Sequence, residues 1–350
     1  MVVAIFVIAC LAAGLGIVLA YRHRSRAIAG DSARSRARGV KPPAGSAAPD
    51  VARAELANNL VTERLWKLAF AAPVESQLVD LKQAQIRDAV STLLKADTVD
   101  ATYLPRRPTL LPQLMRAMDD PSAATDKLAR IIAHDPVLAA DVLRLANSPL
   151  YRNSPAPIET MQRAIVVLGA DALRGLAATA MLQPVFRATR SNFPRFPRML
   201  WERTERAARA AEMYALKTAP QDRFEAQLVI LLSALGPLVV YGATLDEYSR
   251  RPRIEPSPSL CVALTASLGP QVSARMARQW EASPRLAAAI ERSSVESLTM
   301  ALCMGELLGT LSLLVMQQVI TADEGFATAR DAGAAEAMLA PIWHRLTTRE

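Results

Sequence analysis

Residues 134 to 177 read HDPVLAADVLRLANSPLYRNSPAPIETMQRAIVVLGADALRGLA. Asp135 followed by Pro136 is a helix start: a carboxylate to cap free N–H groups, then a proline at the first helical position. Leu138, Val142 and Leu145 then fall on one face. Met161, Ala164, Ile165 and Leu168 form a second such face, and Gly169 supplies the stop. Leu173, Leu176, Ala177, Ala180 and Met181 form a third, ended by Pro184. No stretch of the chain shows sustained strand-type alternation. The spacing therefore predicts an all-α fold of short helices and tight turns.

The rest of the 350 residues reads the same way. The chain is rich in Ala and Leu and only 5% aromatic, which favours helices over sheets. Val61, Leu65 and Leu68, and again Ile86, Val90 and Leu93, predict a helical lead-in over 51–104. Pro105 and Pro108 then punctuate. Residues 190 to 198, RSNFPRFPR, read as an exposed connector, and a second helical block runs from Trp201 to about Ile320. Within it, residues 228 to 241, LVILLSALGPLVVY, form an apolar helix with a Gly236-Pro237 stop. Residues 298 to 320 are apolar enough to suggest a membrane span. Glu306, Gln317 and Gln318 would be costly in lipid, so a buried core helix is expected, with Gly305 and Gly309 permitting close packing. A C-terminal helical extension covers 321–350.

Val2 to Ala20 is uncharged and apolar, long enough to cross a bilayer core. Tyr21 and a basic cluster follow. The net charge of +8 resides mostly in residues 22–41, which carry +6. A signal peptide needs its positive charge before the apolar run, so 1–21 reads as a transmembrane anchor with its N-terminus outside. Val7-Ile8-Ala9-Cys10 is a poor lipoprotein site, because the apolar run continues past Cys10. Residues 22–50 read as a basic, disordered juxtamembrane linker suited to anionic headgroups. The nearly neutral body does not point to nucleic acid as a partner. Cys10, Cys261 and Cys303 offer neither a disulfide framework nor zinc spacing.

Residues 105–320 resemble the HDOD domain of bacterial signalling proteins. The resemblance rests on Leu111-Pro112, Ile132, Asp135-Pro136, Leu143, Ala146-Asn147-Ser148, Tyr151, Ile158, Ala164-Ile165, Leu168-Gly169 and Leu173. It implies an all-α fold related to the HD phosphohydrolases, in which His and Asp hold divalent metals that activate water against phosphate esters. It implies mainly structural roles for Asp135, Pro136, Asn147, Ser148, Tyr151, Ile165 and Gly169. It also locates the positions where metal ligands would stand. Arg203 follows Leu200-Trp201 at a position that often carries His. Ser233-Ala234 stand where the enzymes carry His-Asp, and Pro237 where they commonly carry Lys. Arg292, Ser293 and Ser294 follow Ala289-Ile290, where histidines often occur.

The inventory points the same way. Only His23, His134 and His344 are present, whereas an HD-type centre needs several imidazoles and a carboxylate converging on metal. His134-Asp135 is a literal His-Asp pair, but its place before Pro136 makes Asp135 a helix cap. No phosphate-binding glycine loop or nucleophile elbow occurs. The expectation is a non-catalytic HDOD signalling or scaffold module with no cofactor or metal. It would sit in the bacterial inner membrane with its domain in the cytoplasm, binding regulatory signalling proteins or a small ligand. Two alternatives stand beside it: a phosphohydrolase rebuilt around Asp222 and Glu225, and a nucleotide or nucleic-acid binder using Arg195, Arg198 and Arg203.

Overall fold

The structure is a computed structural model that describes residues 51–70, 81–95, 108, 110–116, 124–133, 135–152, 156–186, 192–293 and 297–348. The anchor over 1–21, the linker over 22–50, His134, Arg190 and Ser294 lie outside the described residues. Among these residues every regular element is a helix, as the period of the apolar positions predicts.

The first half of the family-like region supplies short helices: α3 (Leu111–Arg116), α4 (Ala124–Ala133), α5 (Pro136–Ala146), α6 (Met161–Leu168) and α7 (Ala170–Leu182). Their ends are set by the residues the sequence marks. The Asp135 carboxylate accepts from the backbone N–H groups of Val137 (3.0 Å) and Leu138 (3.1 Å), with Pro136 at the first helical position. Asn147 caps α5 and closes the loop beyond it. Its amide nitrogen donates to the carbonyls of Leu143 (2.9 Å) and Ile158 (2.8 Å), and its oxygen accepts from the Ile158 N–H (2.8 Å). Ser148 donates to the Leu145 carbonyl. Tyr151 is buried, with the Arg209 guanidinium 5.3 Å from its ring centre. Gly169 has φ +82° between α6 and α7, a turn conformation that a side chain would strain. Ile165 packs on the core edge.

The second half is built on longer helices: α8 (Arg195–Thr218), α9 (Arg223–Ser233), α10 (Leu235–Arg250), α11 (Pro258–Gln279), α12 (Pro284–Ile290) and α13 (Ser297–Met316). Helix α13 is buried along nearly its whole length, as a core helix should be. A Cβ on Gly309 would lie 2.6 Å from Ala207, and one on Gly305 2.7 Å from the Ala211 Cβ. The two glycines therefore let α13 lie directly against α8. Helices α14 (Ala322–Asp331) and α15 (Glu336–Thr347) pack back on this pair.

Two features differ from the sequence reading. The Gly-Pro pair does not stop the apolar helix. The break is at Ala234 alone, and Gly236-Pro237 open α10, where the first turn needs no N–H from proline. Ser273 holds the break: its hydroxyl donates to the Ser233 carbonyl (2.7 Å) and accepts from the Gly236 N–H (2.8 Å). Gly236 is required there because a Cβ would meet the Gly269 carbonyl at 2.0 Å. Residues 193–197 are more than an exposed connector. Phe196 is fully buried and, with Phe193, packs among Trp66, Phe70 and Tyr241 in tilted and edge-on ring contacts, an apolar burial that its neighbouring exposed Arg195 and Arg198 do not reveal.

The lead-in docks on the domain. Helix α1 (Val51–Phe70) buries Leu65, Trp66 and Phe70 against α8 and α13. Helix α2 (Leu81–Lys95) lies on α10 and α11, where Tyr248 donates to Gln83 (2.5 Å) and Arg275 caps the Leu94 carbonyl. Replacing Asn147 with Ala should lower unfolding free energy by about 2 kcal/mol, since it strands the Ile158 N–H and carbonyl. Chemical denaturation checks this.

Candidate functional site

The cleft between α1, α8, α11 and α13 has a volume of about 340 Å³. Its walls include Arg203, Ser233 and Arg292, so the chain brings together three positions that the resemblance assigns to metal ligands. Ala234 is not with them; it is buried in the helix break, 3% exposed. Ser293 turns away and donates to the Ala288 carbonyl.

Glu306, which the sequence reading weighs only as an argument against a membrane span, organises the cleft. It stands on α13, one residue from Gly305, so the close approach of α8 and α13 sets it facing Arg203. The Arg203 guanidinium lies 3.7 Å from Glu306 Oε1, and its Nε donates to the Thr310 hydroxyl at 2.8 Å. Arg292 reaches the other carboxylate oxygen, Nη2 to Oε2 at 2.7 Å. It also pairs with Glu55 of α1, Nε to Oε1 at 2.6 Å. Asn58 donates to Glu306 Oε2 at 3.2 Å. Two guanidinium groups and two carboxylates thus form one chain across the cleft.

Local structure presents these groups. Helix α12 ends with Arg292 at φ +52°, and the Ser293 N–H reaches back to the Ala288 carbonyl. This left-handed cap usually carries glycine, and arginine there costs roughly 1 kcal/mol. The conformation aims the side chain at Glu306. Burial pulls the Arg203 proton affinity below its ordinary value, with Glu306 opposing. Arg292 is pushed the other way by the Glu306 charge. Burial pushes the neighbouring Cys303 thiol up to about 12, so no thiolate stands ready beside the cleft.

These residues do not fit a divalent metal. Ser233 donates to the Ile230 carbonyl, Glu306 is committed to arginines, and a guanidinium at a ligand position repels a cation. Among the described residues no group of three or more His, Cys, Asp or Glu is placed to hold one. Asp222 and Glu225 are claimed elsewhere. Arg285 donates to both Asp222 oxygens (2.8 and 2.7 Å) and to Glu225 (2.7 Å), and holds the Asp222 carboxyl below its usual range. Nor do Arg195, Arg198 and Arg203 form one surface: the first two are exposed, Arg198 pairs with Glu202, and Arg203 is buried.

Replacing Glu306 with Gln should destabilise the fold by about 3 kcal/mol, because two largely buried cations lose their shared counter-charge. Thermal unfolding measures this, and a change within 0.5 kcal/mol (about the noise of a surface substitution) would refute the coupling.

Comparison with known proteins agrees with this architecture. No curated protein matches the chain. Among solved structures, an HDOD domain protein of unknown function from Geobacter sulfurreducens is 18% identical, with a TM-score of 0.52. The match covers 75% of this chain and 94% of that one. A candidate metal-dependent phosphohydrolase from Shewanella amazonensis is 17% identical over 77% of this chain and 99% of its own, with a TM-score of 0.54. At such identities the likeness is one of fold. The HDOD domain itself matches residues 104–321, more than half of the sequence. With the helices, the caps and the matched span in agreement, the chain belongs to the HDOD domain family.

Proposed function

We propose that this chain is a non-catalytic HDOD module of signal transduction, tethered to the bacterial inner membrane. Residues 1–21 span the bilayer with the N-terminus outside. The basic segment 22–50 lies at the inner leaflet, and the HDOD domain works in the cytoplasm. The module binds a regulatory protein or a small ligand rather than turning over a substrate.

One observation carries the non-catalytic reading: Arg203 and Arg292, at positions that the family resemblance assigns to metal ligands, meet on Glu306. A metal-activated water needs an open coordination position beside neutral or anionic donors. The cleft offers two cations, and its best carboxylate is shared between them. The rebuilt-hydrolase alternative is disfavoured by Arg285, which occupies both of its proposed acidic ligands.

Purified full-length protein in detergent should carry far less than one transition-metal ion per chain. It should show no metal-dependent hydrolysis of a generic phosphodiester. Installing His and Asp at Ser233 and Ala234 should leave both readings unchanged, because Arg203 and Arg292 remain. Stoichiometric metal together with hydrolysis in the unaltered chain would contradict the proposal.

A further inference from the structure

Helix α1 turns one face to the core and another outward. On the outer face stand Leu56 and Leu60, 63% and 62% exposed and one helical turn apart. They border a groove of about 550 Å³ between α1 and α14, with Val61 and Ala332 also in its walls. The charges on its two sides are opposite. The exposed charges of α1 here are Arg53, Glu63, Arg64 and Lys67, net +2. Those of α14 are Asp323, Glu324, Arg330 and Asp331, net −2 for the helix; Asp331 lines the groove itself, and Glu324 lies near Arg64 of the same chain. A positive helix and a negative helix thus flank an exposed leucine pair.

We propose that this face is a homodimer interface, its occupant a second copy of the same chain. An isologous contact must be complementary to itself. A two-fold axis running along the groove places α1 of one copy over α14 of the other, and the reverse. Each +2 face then meets a −2 face, and the two leucine pairs close on each other between them. An anionic lipid surface suits the α1 half of the patch but meets repulsion at the acidic α14 half. The same axis carries both α1 helices in the same direction, so both Val51 ends lie at one end of the dimer. This inference does not rest on the absence of catalysis, and it holds whether or not the chain is membrane-anchored.

The test uses the full-length chain in detergent, with Cys10→Ser as background; Cys261 and Cys303 are buried. Leu60→Cys should be joined into a dimer by a short bis-maleimide. Leu216→Cys, 44% exposed at the far end of α8, should not. Reversing α1 (Arg53→Glu with Lys67→Glu) in the Leu60→Cys chain should cut the cross-linked fraction by about tenfold, since like charges then face each other. Reversing α14 alone (Asp323→Lys with Asp331→Lys) should do the same, and combining both reversals should restore cross-linking. The proposal is overturned if Leu60→Cys links no better than Leu216→Cys, or if the combined reversal fails to rescue. It is equally overturned if, in vesicles, lipid-borne quenchers reach a fluorophore attached to the Leu60→Cys thiol while the chain stays monomeric.

Discussion

The cleft depends on one carboxylate held between two guanidinium groups. Glu306 is buried on α13, where an isolated charge would be costly. Arg203 and Arg292 neutralise it from opposite sides, and Thr310 and Asn58 complete the hydrogen bonding. The arrangement needs α8 and α13 at glycine–alanine distance, a left-handed cap at Arg292 and the first turns of α1 in place. Each of these is a backbone decision, and together they present the charges. Two of the protein's own cations thus stand at positions that the family resemblance assigns to metal ligands.

The same charge chain explains why α1 belongs to the body. Glu55 and Asn58 come from outside the span matched by the family, yet they complete the charge chain. Trp66 and Phe70 fix the helix through the ring cluster around Phe196 and Tyr241. Helix α1 is therefore packed against the cleft itself. A partner that engages the cleft meets the same helix whose outer face carries Leu56 and Leu60.

Much of this is legible in the sequence, because local chemistry carries it. The Asp135-Pro136 cap, the Asn147 turn and the Gly169 stop are short-range signals, and each stands where its residue type demands. The converging positions of Arg203, Ser233 and Arg292 are legible through the family resemblance. Glu306 is not, since a lone carboxylate in an apolar helix has no local pattern that names its partners. Its role depends on Arg203, 103 positions away, and on Glu55 at an even greater separation. The Gly-Pro start of α10 escapes a local reading for a similar reason: only Ser273 and the Gly269 carbonyl, from another helix, show why the break falls at Ala234.

The central claim is that the protein's own cations occupy the place of metal. The most direct measurement is the thermal midpoint of the full-length chain as manganese or magnesium is raised from chelator-treated conditions to millimolar. A site that binds metal in the native state alone adds stability in proportion to the logarithm of metal concentration. The charge chain predicts a flat midpoint, and the same flatness after addition of chelator. A midpoint that climbs with metal and falls with chelator would contradict it.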